Sequence, residues 1–302
     1  MQQEEIFDVI IVGGSYSGLA AGMALGRSLR NVLIIDSGKP CNRQTPHSHN
    51  FLTRDGETPA NLAAIAKAQV LAYPTVKFLE GFAETASKTE NGFEISISDQ
   101  QVFVAKKLVI TSGVKDIFPA IKGFAECWGI SVLHCPYCHG YEVKGKTTGV
   151  IANGEIGFEF SKLISNWTKD LTLFTNGIAD IDQSNQAKLL ARNINIVEKE
   201  IEEIVHENGL VNHIRFKDGS TQMLEAIYAR VGMEHNTKII TDLNIQLNEQ
   251  GYVSVDSFKQ TNVPGVYAAG DCTTMMRSVS DSVAGGNMAG AMLNKELVTE
   301  EF

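Results

Sequence analysis

The chain is short of positive charge, of cysteine and of long apolar runs, and each shortage removes a class of function. Of its 302 residues 26 are Lys or Arg and 35 are Asp or Glu, a net charge of -9. A nucleic-acid surface needs a basic patch or stripe, so no nucleic-acid partner is expected. No uninterrupted apolar run approaches the ~20 residues of a membrane span, so no membrane partner is expected either. Met1 to Glu5 is polar and acidic and lacks the basic-then-apolar order of a secretory leader, which predicts a cytoplasmic protein. The cysteines are five, at 41, 127, 135, 138 and 272. An odd, low count is no disulfide framework. A zinc site would want a second pair or a His-x-x-x-His partner, and His47 and His49 stand two apart and far from the one close pair, so no metal is expected.

What is present is concentrated at Cys135-Pro136-Tyr137-Cys138-His139-Gly140-Tyr141-Glu142. Two thiols at this spacing can close into a disulfide or open into a dithiol within one turn. The imidazole of His139, titrating near neutrality, could take or return the proton that such exchange moves. A structural reading competes, His139 capping or packing beside a helix start, and Glu142 could orient His139. Cys41, Cys127 and Cys272 read as small buried residues, and Trp128 and Trp167 as core or interface side chains.

The N-terminal stretch supplies the setting. Phe7 to Val12 is a β-branched apolar run that meets Gly13-Gly14-Ser15-Tyr16-Ser17-Gly18 at once; Leu19 to Leu29 reads as a helix, and Asn31 to Ile35 as a second strand ending at Asp36. Strand, glycine turn, helix, strand and acid make a dinucleotide-binding unit, with Ser15 in place of the middle glycine. The glycines let backbone approach a pyrophosphate at the helix N-terminus, and Asp36 would accept from a ribose hydroxyl. Gly38 to Gly56 is a long loop, a length that suggests function. Glu57 to Ala72 is helical in pattern. Strands follow at Val76 to Glu80, Gly81 to Ala86, Phe93 to Ser98, Gln101 to Ala105 and Lys107 to Thr111, with Asn91-Gly92 as a hairpin turn.

A second, degraded unit starts at Thr148 to Ile151. Ala152 occupies its first glycine position, and its second strand, Leu171 to Phe174, ends in Thr175-Asn176-Gly177. No acid is placed there for a ribose 2′-OH and no arginine for a 2′-phosphate. Further strands are expected at Asn195 to Glu207, Asn212 to Phe216, Thr221 to Ala229, Gly251 to Asp256 and Gly265 to Ala269, then a helix from Ser278 to Glu296.

The order of these parts, Val12-Gly13-Gly14-x-x-x-Gly18, Thr111-Ser112-Gly113, a Cys-x-x-Cys inside the second unit, and Ala268-Ala269-Gly270-Asp271, resembles the low-molecular-weight thioredoxin reductases among the FAD-dependent pyridine nucleotide–disulfide oxidoreductases. The resemblance spans the whole chain. It implies an α/β fold of two Rossmann-like nucleotide-binding domains, the second inserted into the first (three-layer ββα): an FAD domain of 1–117 plus 234–302 and an inserted NAD(P)-binding-like domain of 118–233. It also implies FAD contacts at Gly13, Ser15, Gly18, Asp36, Asn42, Asn50, Gly113, Asp271, Ser278 and Val279, although glutamine is usual at Ser278. Cys138 would face the flavin, Cys135 would meet the substrate, and His139 would be the base.

Two departures give direction. His139 stands where thioredoxin reductases proper carry an aspartate, and Thr175-Asn176-Gly177 stands where they carry arginines. Both resemble the dithiol oxidase branch and flavoproteins of this type that do not depend on NADPH. The resemblance therefore implies a flavin thiol–disulfide oxidoreductase with little or no NAD(P)H use. Its partner would be a small dithiol or disulfide, or a thioredoxin-like protein, with ferredoxin a conceivable protein donor, and the assembly a homodimer. The alternatives are an NADPH-dependent thioredoxin or disulfide reductase, and a non-enzymatic flavin redox sensor or electron-transfer partner.

Overall fold

The first two strands alternate their side chains between two cores. In the computed structural model, which describes residues 5–302, Ile6–Val12 (β1) pairs in parallel with Val32–Asp36 (β2), and β2 with a later strand, Val76–Glu80 (β3). Val9, Ile11, Val32 and Ile34 face one core with Leu19, Leu25, Ala289 and Leu293, whereas Ile10, Val12, Leu33 and Ile35 face another with Phe93, Ile95 and Ile97. A strand buried on both sides must be apolar at every position, which is why these runs are continuous rather than alternating. Residues 1–4, part of the acidic N-terminal stretch, lie outside the described residues.

Helix Tyr16–Arg27 (α1) covers one face of this sheet, packed on the C-terminal helix Val279–Glu301. Their seam is made of small residues because nothing larger fits: a Cβ on Gly286 would land on the Ser17 carbonyl, and one on Gly290 on that of Ala21. On the other face lies an antiparallel meander of Ala83–Thr89 (β4), Gly92–Ile97 (β5) and Val102–Ile110 (β6). Two strands expected at 101–105 and 107–111 are one. The first half of β6 pairs with β5 and its second half with Val266–Ala268, while β1 runs along its other edge. The hairpin turn is Glu90-Asn91, and Gly92 already pairs with Thr89. The strand expected at 251–256 does not form; Val253 makes a single bridge to Leu247.

The chain divides into two compact units, Met1–Arg43, Pro59–Lys115 and Met233–Phe302 in one, Gln44–Thr58 and Asp116–Gly232 in the other. The segment 44–58, expected with the first nucleotide unit, packs with the second. Gln44 donates to the Ala125 carbonyl there at 3.3 Å, and Thr45 lies against Gly129. The second unit holds a five-stranded parallel sheet whose central strand, Thr148–Ile151, is flanked by Leu171–Phe174 and Ala226–Ala229. It also holds a three-stranded antiparallel sheet. The strand expected at 195–207 is split between them: Asn195–Val197 extends the parallel sheet and Ile201–Glu207 starts the antiparallel one.

Candidate active site

Strand Val132–Leu133, buried beside Ile227 and Tyr228, delivers the chain to Cys135 in extended conformation. Pro136 opens a one-turn helix, Pro136–His139, since its fixed φ suits a first helical position. The turn closes as the amides of Cys138 and His139 donate to the Cys135 carbonyl at 3.3 and 3.2 Å. Cys135 and Cys138 are joined as a disulfide with their Cα atoms 5.3 Å apart, and both are partly accessible. Trp167 packs under this turn. A Cβ on Gly140 would sit 2.6 Å from the indole Nε1, and the Tyr137 ring meets the indole edge-on at 5.6 Å. Trp167, half-buried, props the redox turn.

His139 follows the disulfide directly. Burial lowers its imidazole pKa; the Glu142 carboxylate pulls the other way and His49 adds to the lowering. Glu142 does not pair with His139. Its carboxylate lies 3.6 Å from Nε2 of His49, whose Nδ1 lies 3.6 Å from the Asp55 carboxylate. His49 reaches the site on the 44–58 segment. Bonds between the Ser48 and Glu57 backbones and from the Asn50 amide to Asp55 (2.7 Å) close that segment into a loop. The sequence offered His49 only as one of two spaced histidines, with nothing to join it to residue 142. Among the described residues, no three His, Cys, Asp or Glu side chains are grouped to hold a metal ion.

In the first unit the glycine turn is tightly determined. Gly13 has φ +102°, and a Cβ there would run into the Thr111 carbonyl; a Cβ on Gly18 would strike the Gly13 carbonyl. Asp36 takes the Gly14 amide at 2.8 Å and the Gly38 amide at 3.1 Å. Ser15 stands at the N-cap of α1 without a capping bond, and the buried hydroxyls of Ser17 and Ser112 lack a hydrogen-bond partner. Gly113 has φ +65° and open space where a side chain would be. Gly13, Ser15, Gly18, Asp36 and Gly113 therefore ring one turn. Asn42, Asp271, Ser278 and Val279 belong to the same unit, whereas Asn50 belongs to the other. Ser278 caps the C-terminal helix, accepting from the Asp281 amide at 3.1 Å. Asp271 faces two residues that sequence reasoning did not join to it: Arg277, 3.5 Å away, and the Cys41 thiol at 3.4 Å. Cys41 is exposed as a residue, yet desolvation and then the Asp271 charge push the thiol pKa up to about 12.

The second nucleotide-like corner is closed by its own side chains. Asn153 caps helix Gly154–Ile164; its Oδ1 accepts from the Gly154 and Asp180 amides, both at 2.8 Å, and its Nδ2 donates to the Ile178 carbonyl. Glu155 adds a carboxylate to the first turn. The sequence placed no acid at Thr175-Asn176-Gly177, but the next strand brings one. Glu198 accepts the Ala179 amide at 2.7 Å, and its own carbonyl accepts the Gly177 amide at 3.1 Å.

Residues 7–286 match the model of the pyridine nucleotide-disulphide oxidoreductase family. The chain belongs to that family. The enzyme is 31% identical over 317 residues to thioredoxin reductase tcpT of Claviceps purpurea, covering 99% of this chain and 97% of that one. It is 29% identical to thioredoxin reductase aclD of Aspergillus oryzae, with 98% of each covered. An oxidoreductase structure from Agrobacterium tumefaciens superposes with a TM-score of 0.92 at 34% identity, covering 98% of this chain and 99% of that one. The enzyme is thus thioredoxin reductase-like in fold and class. FAD is the cofactor the family implies, and the first unit fits it: a turn whose glycines admit no Cβ, an uncapped helix N-terminus, and two orphaned buried hydroxyls, which together suit a phosphate-bearing group.

Proposed function

We propose that the enzyme exchanges two electrons between bound FAD, the Cys135–Cys138 disulfide and an external dithiol or disulfide, with little or no use of NADPH. One observation carries this reading, the self-satisfied second corner. A dinucleotide pyrophosphate binds where helix-start amides are free, and here Asn153 takes the Gly154 amide. A 2′-phosphate needs an arginine, and here Glu198 presents a carboxylate. Like charges brought close in a partly desolvated site repel.

FAD, when bound, supplies the two-electron acceptor or donor; the protein supplies position and proton traffic. In the oxidative direction His139 takes the proton of a substrate thiol. The thiolate attacks Cys135 Sγ, the S–S bond breaks, and Cys138 leaves as a thiolate. The second substrate thiol, on losing its proton, attacks the substrate sulfur of the mixed disulfide and releases Cys135. One substrate disulfide, two protein thiolates and two protons result. A neutral imidazole is the form that accepts a proton, and burial favours that form at His139. A small dithiol or a thioredoxin-like protein fits the accessible disulfide, and the names of the relatives agree with either. A homodimer in the cytoplasm, with oxygen as the electron acceptor in the oxidative direction or a protein such as ferredoxin as the donor in the reductive one, is part of the same proposal.

Anaerobic addition of NADPH, then NADH, then a dithiol, while the visible flavin band is followed, tests it. The dithiol bleaches the flavin and the nicotinamides do not. Fast bleaching by NADPH overturns the reading in favour of an NADPH-dependent disulfide reductase, and bleaching by none of them in favour of a redox sensor or of a flavoprotein reduced by a protein donor such as ferredoxin.

A further inference from the structure

The exchange steps above leave the Asp55–His49–Glu142 array without a role. Glu142 sits three residues after His139, on the same turn, where a carboxylate would be placed to pair with it. Instead it faces a histidine from a segment some ninety residues earlier in the chain, at 3.6 Å. Both nitrogens of that ring face carboxylates, and its side chain is 22% exposed. Among the described residues, no hydrogen bond reaches the ring of His139.

We propose that His49 is a positioning residue for the thiol–disulfide chemistry: by engaging Glu142 it keeps that carboxylate off His139, so the imidazole beside Cys138 stays without an ion partner and free to take a thiol proton. The inference rests on the reading of His139 as proton acceptor. A histidine paired with a carboxylate becomes a ready cation but a poor base near neutrality, because the pair favours the protonated ring. Diverting Glu142 to His49 prevents this. The 44–58 segment would then have a function in the second unit, that of holding His49, and Asp55 would hold His49 from its other nitrogen. The groups that bear on the proposal are Glu142 and Tyr141 on the turn of His139, His47, His49 and Asp55 on the loop, Lys144 over the Tyr141 ring at 3.4 Å, and Tyr228 from the sheet, within reach of the Glu142 charge.

The test uses the FAD-loaded enzyme and its His49→Gln, Glu142→Gln and double variants, with His139→Gln as control. Two quantities are read against pH: the imidazole titration of His139 by NMR, and the rate at which dithiothreitol opens Cys135–Cys138, quenched in acid and counted by mass-tagging free thiols. In His49→Gln, Glu142 is released, the His139 midpoint rises and opening slows on the acid side. In Glu142→Gln the midpoint falls. In the Glu142→Gln background, His49→Gln shifts it far less. Equal shifts in both backgrounds, or shifts of the same sign in both single variants, overturn the proposal. Asp55→Asn loosens His49 without touching Glu142 and gives a smaller shift in the sense of His49→Gln; it decides the matter if His49→Gln does not fold. If the midpoints move as stated but the acid limb of the rate ignores them and survives in His139→Gln, His139 is not the base: the proposed exchange fails there, and the role of His49 in directing Glu142 stands.

Discussion

Gly140 ends the redox turn, and replacing it with alanine tests whether Trp167 holds that turn in place. The dihedral angles are no obstacle: φ -63° and ψ -31° are helical values that alanine adopts freely. Backbone entropy alone would favour the change by about 0.4–1 kcal/mol. Space is the obstacle. The new methyl would lie 2.6 Å from Nε1 and 2.7 Å from Cδ1 of Trp167, and closer still to the Pro136 carbonyl. Ordinary carbon contacts are about 3.5–4 Å, so the indole must retreat by about 1 Å or the turn must open. Overpacking of this kind costs about 1–3 kcal/mol, and loss of the edge-on Tyr137 contact adds about 0.5–1.5 kcal/mol. The net loss is about 0.5–4 kcal/mol. At about 2–4 °C per kcal/mol, Gly140→Ala melts several degrees below the wild type, and dithiothreitol opens its disulfide at an altered rate. Trp167→Leu frees the space, so the double variant loses less than the sum of the two single ones. A Gly140→Ala protein that melts with the wild type, or strict additivity in the double variant, refutes the argument.

Two other perturbations have a defined sign. The His139 pKa is held below the ordinary 6.5 by burial, with Glu142 opposing and His49 assisting. Above 6.5 the ring is neutral in both folded and unfolded chains and its contribution is complete. As pH falls through 6.5 toward the lower folded value, the unfolded chain binds a proton that the folded one resists, and stability is lost. His139→Gln removes this loss, so its melting temperature drops less than that of the wild type between about pH 7 and 5; parallel slopes refute the burial of the ring. Lys107, on β6, is 8% exposed, and its ammonium bonds Glu296 at 2.6 Å and Glu300 at 2.5 Å on the last turns of the C-terminal helix. Burial works against its charge, but these bonds outweigh it and hold the ammonium pKa above its usual range. Lys107→Met leaves Glu296 with the Tyr267 hydroxyl at 2.8 Å. Glu300 is half exposed, so water recovers part of the loss. The cost is about 1–3 kcal/mol, read as a lowered melting temperature, and unchanged melting refutes it.

The order of parts along the chain was legible from the residues because each answers to a local rule. Val9 to Val12 of β1 and Val32 to Ile35 of β2 are apolar at every position because both faces are buried. Gly13 and Gly18 are glycines because backbone lies where their Cβ atoms would be. Pro136 stands where a helix can start. These constraints act within a few residues, or across one strand pair, and so appear as composition and spacing. Errors at the element ends came from pairing partners: β6 is one strand because β1 pairs along both of its halves, whereas 195–207 is two because its halves pair in different sheets.

The residues alone also placed the disulfide pair, its adjacent imidazole and an FAD-type turn, and their order along the chain pointed to the family. Tertiary structure decided which charges meet. Glu142 is three residues from His139 in the chain but pairs with His49; Glu198 enters a corner whose own strand end supplies no acid; Trp167 lies beneath Gly140. The reason is physical: an ion pair or a ring contact depends on a few ångströms between side chains carried by separate elements, and nothing in the spacing of either element alone sets that distance.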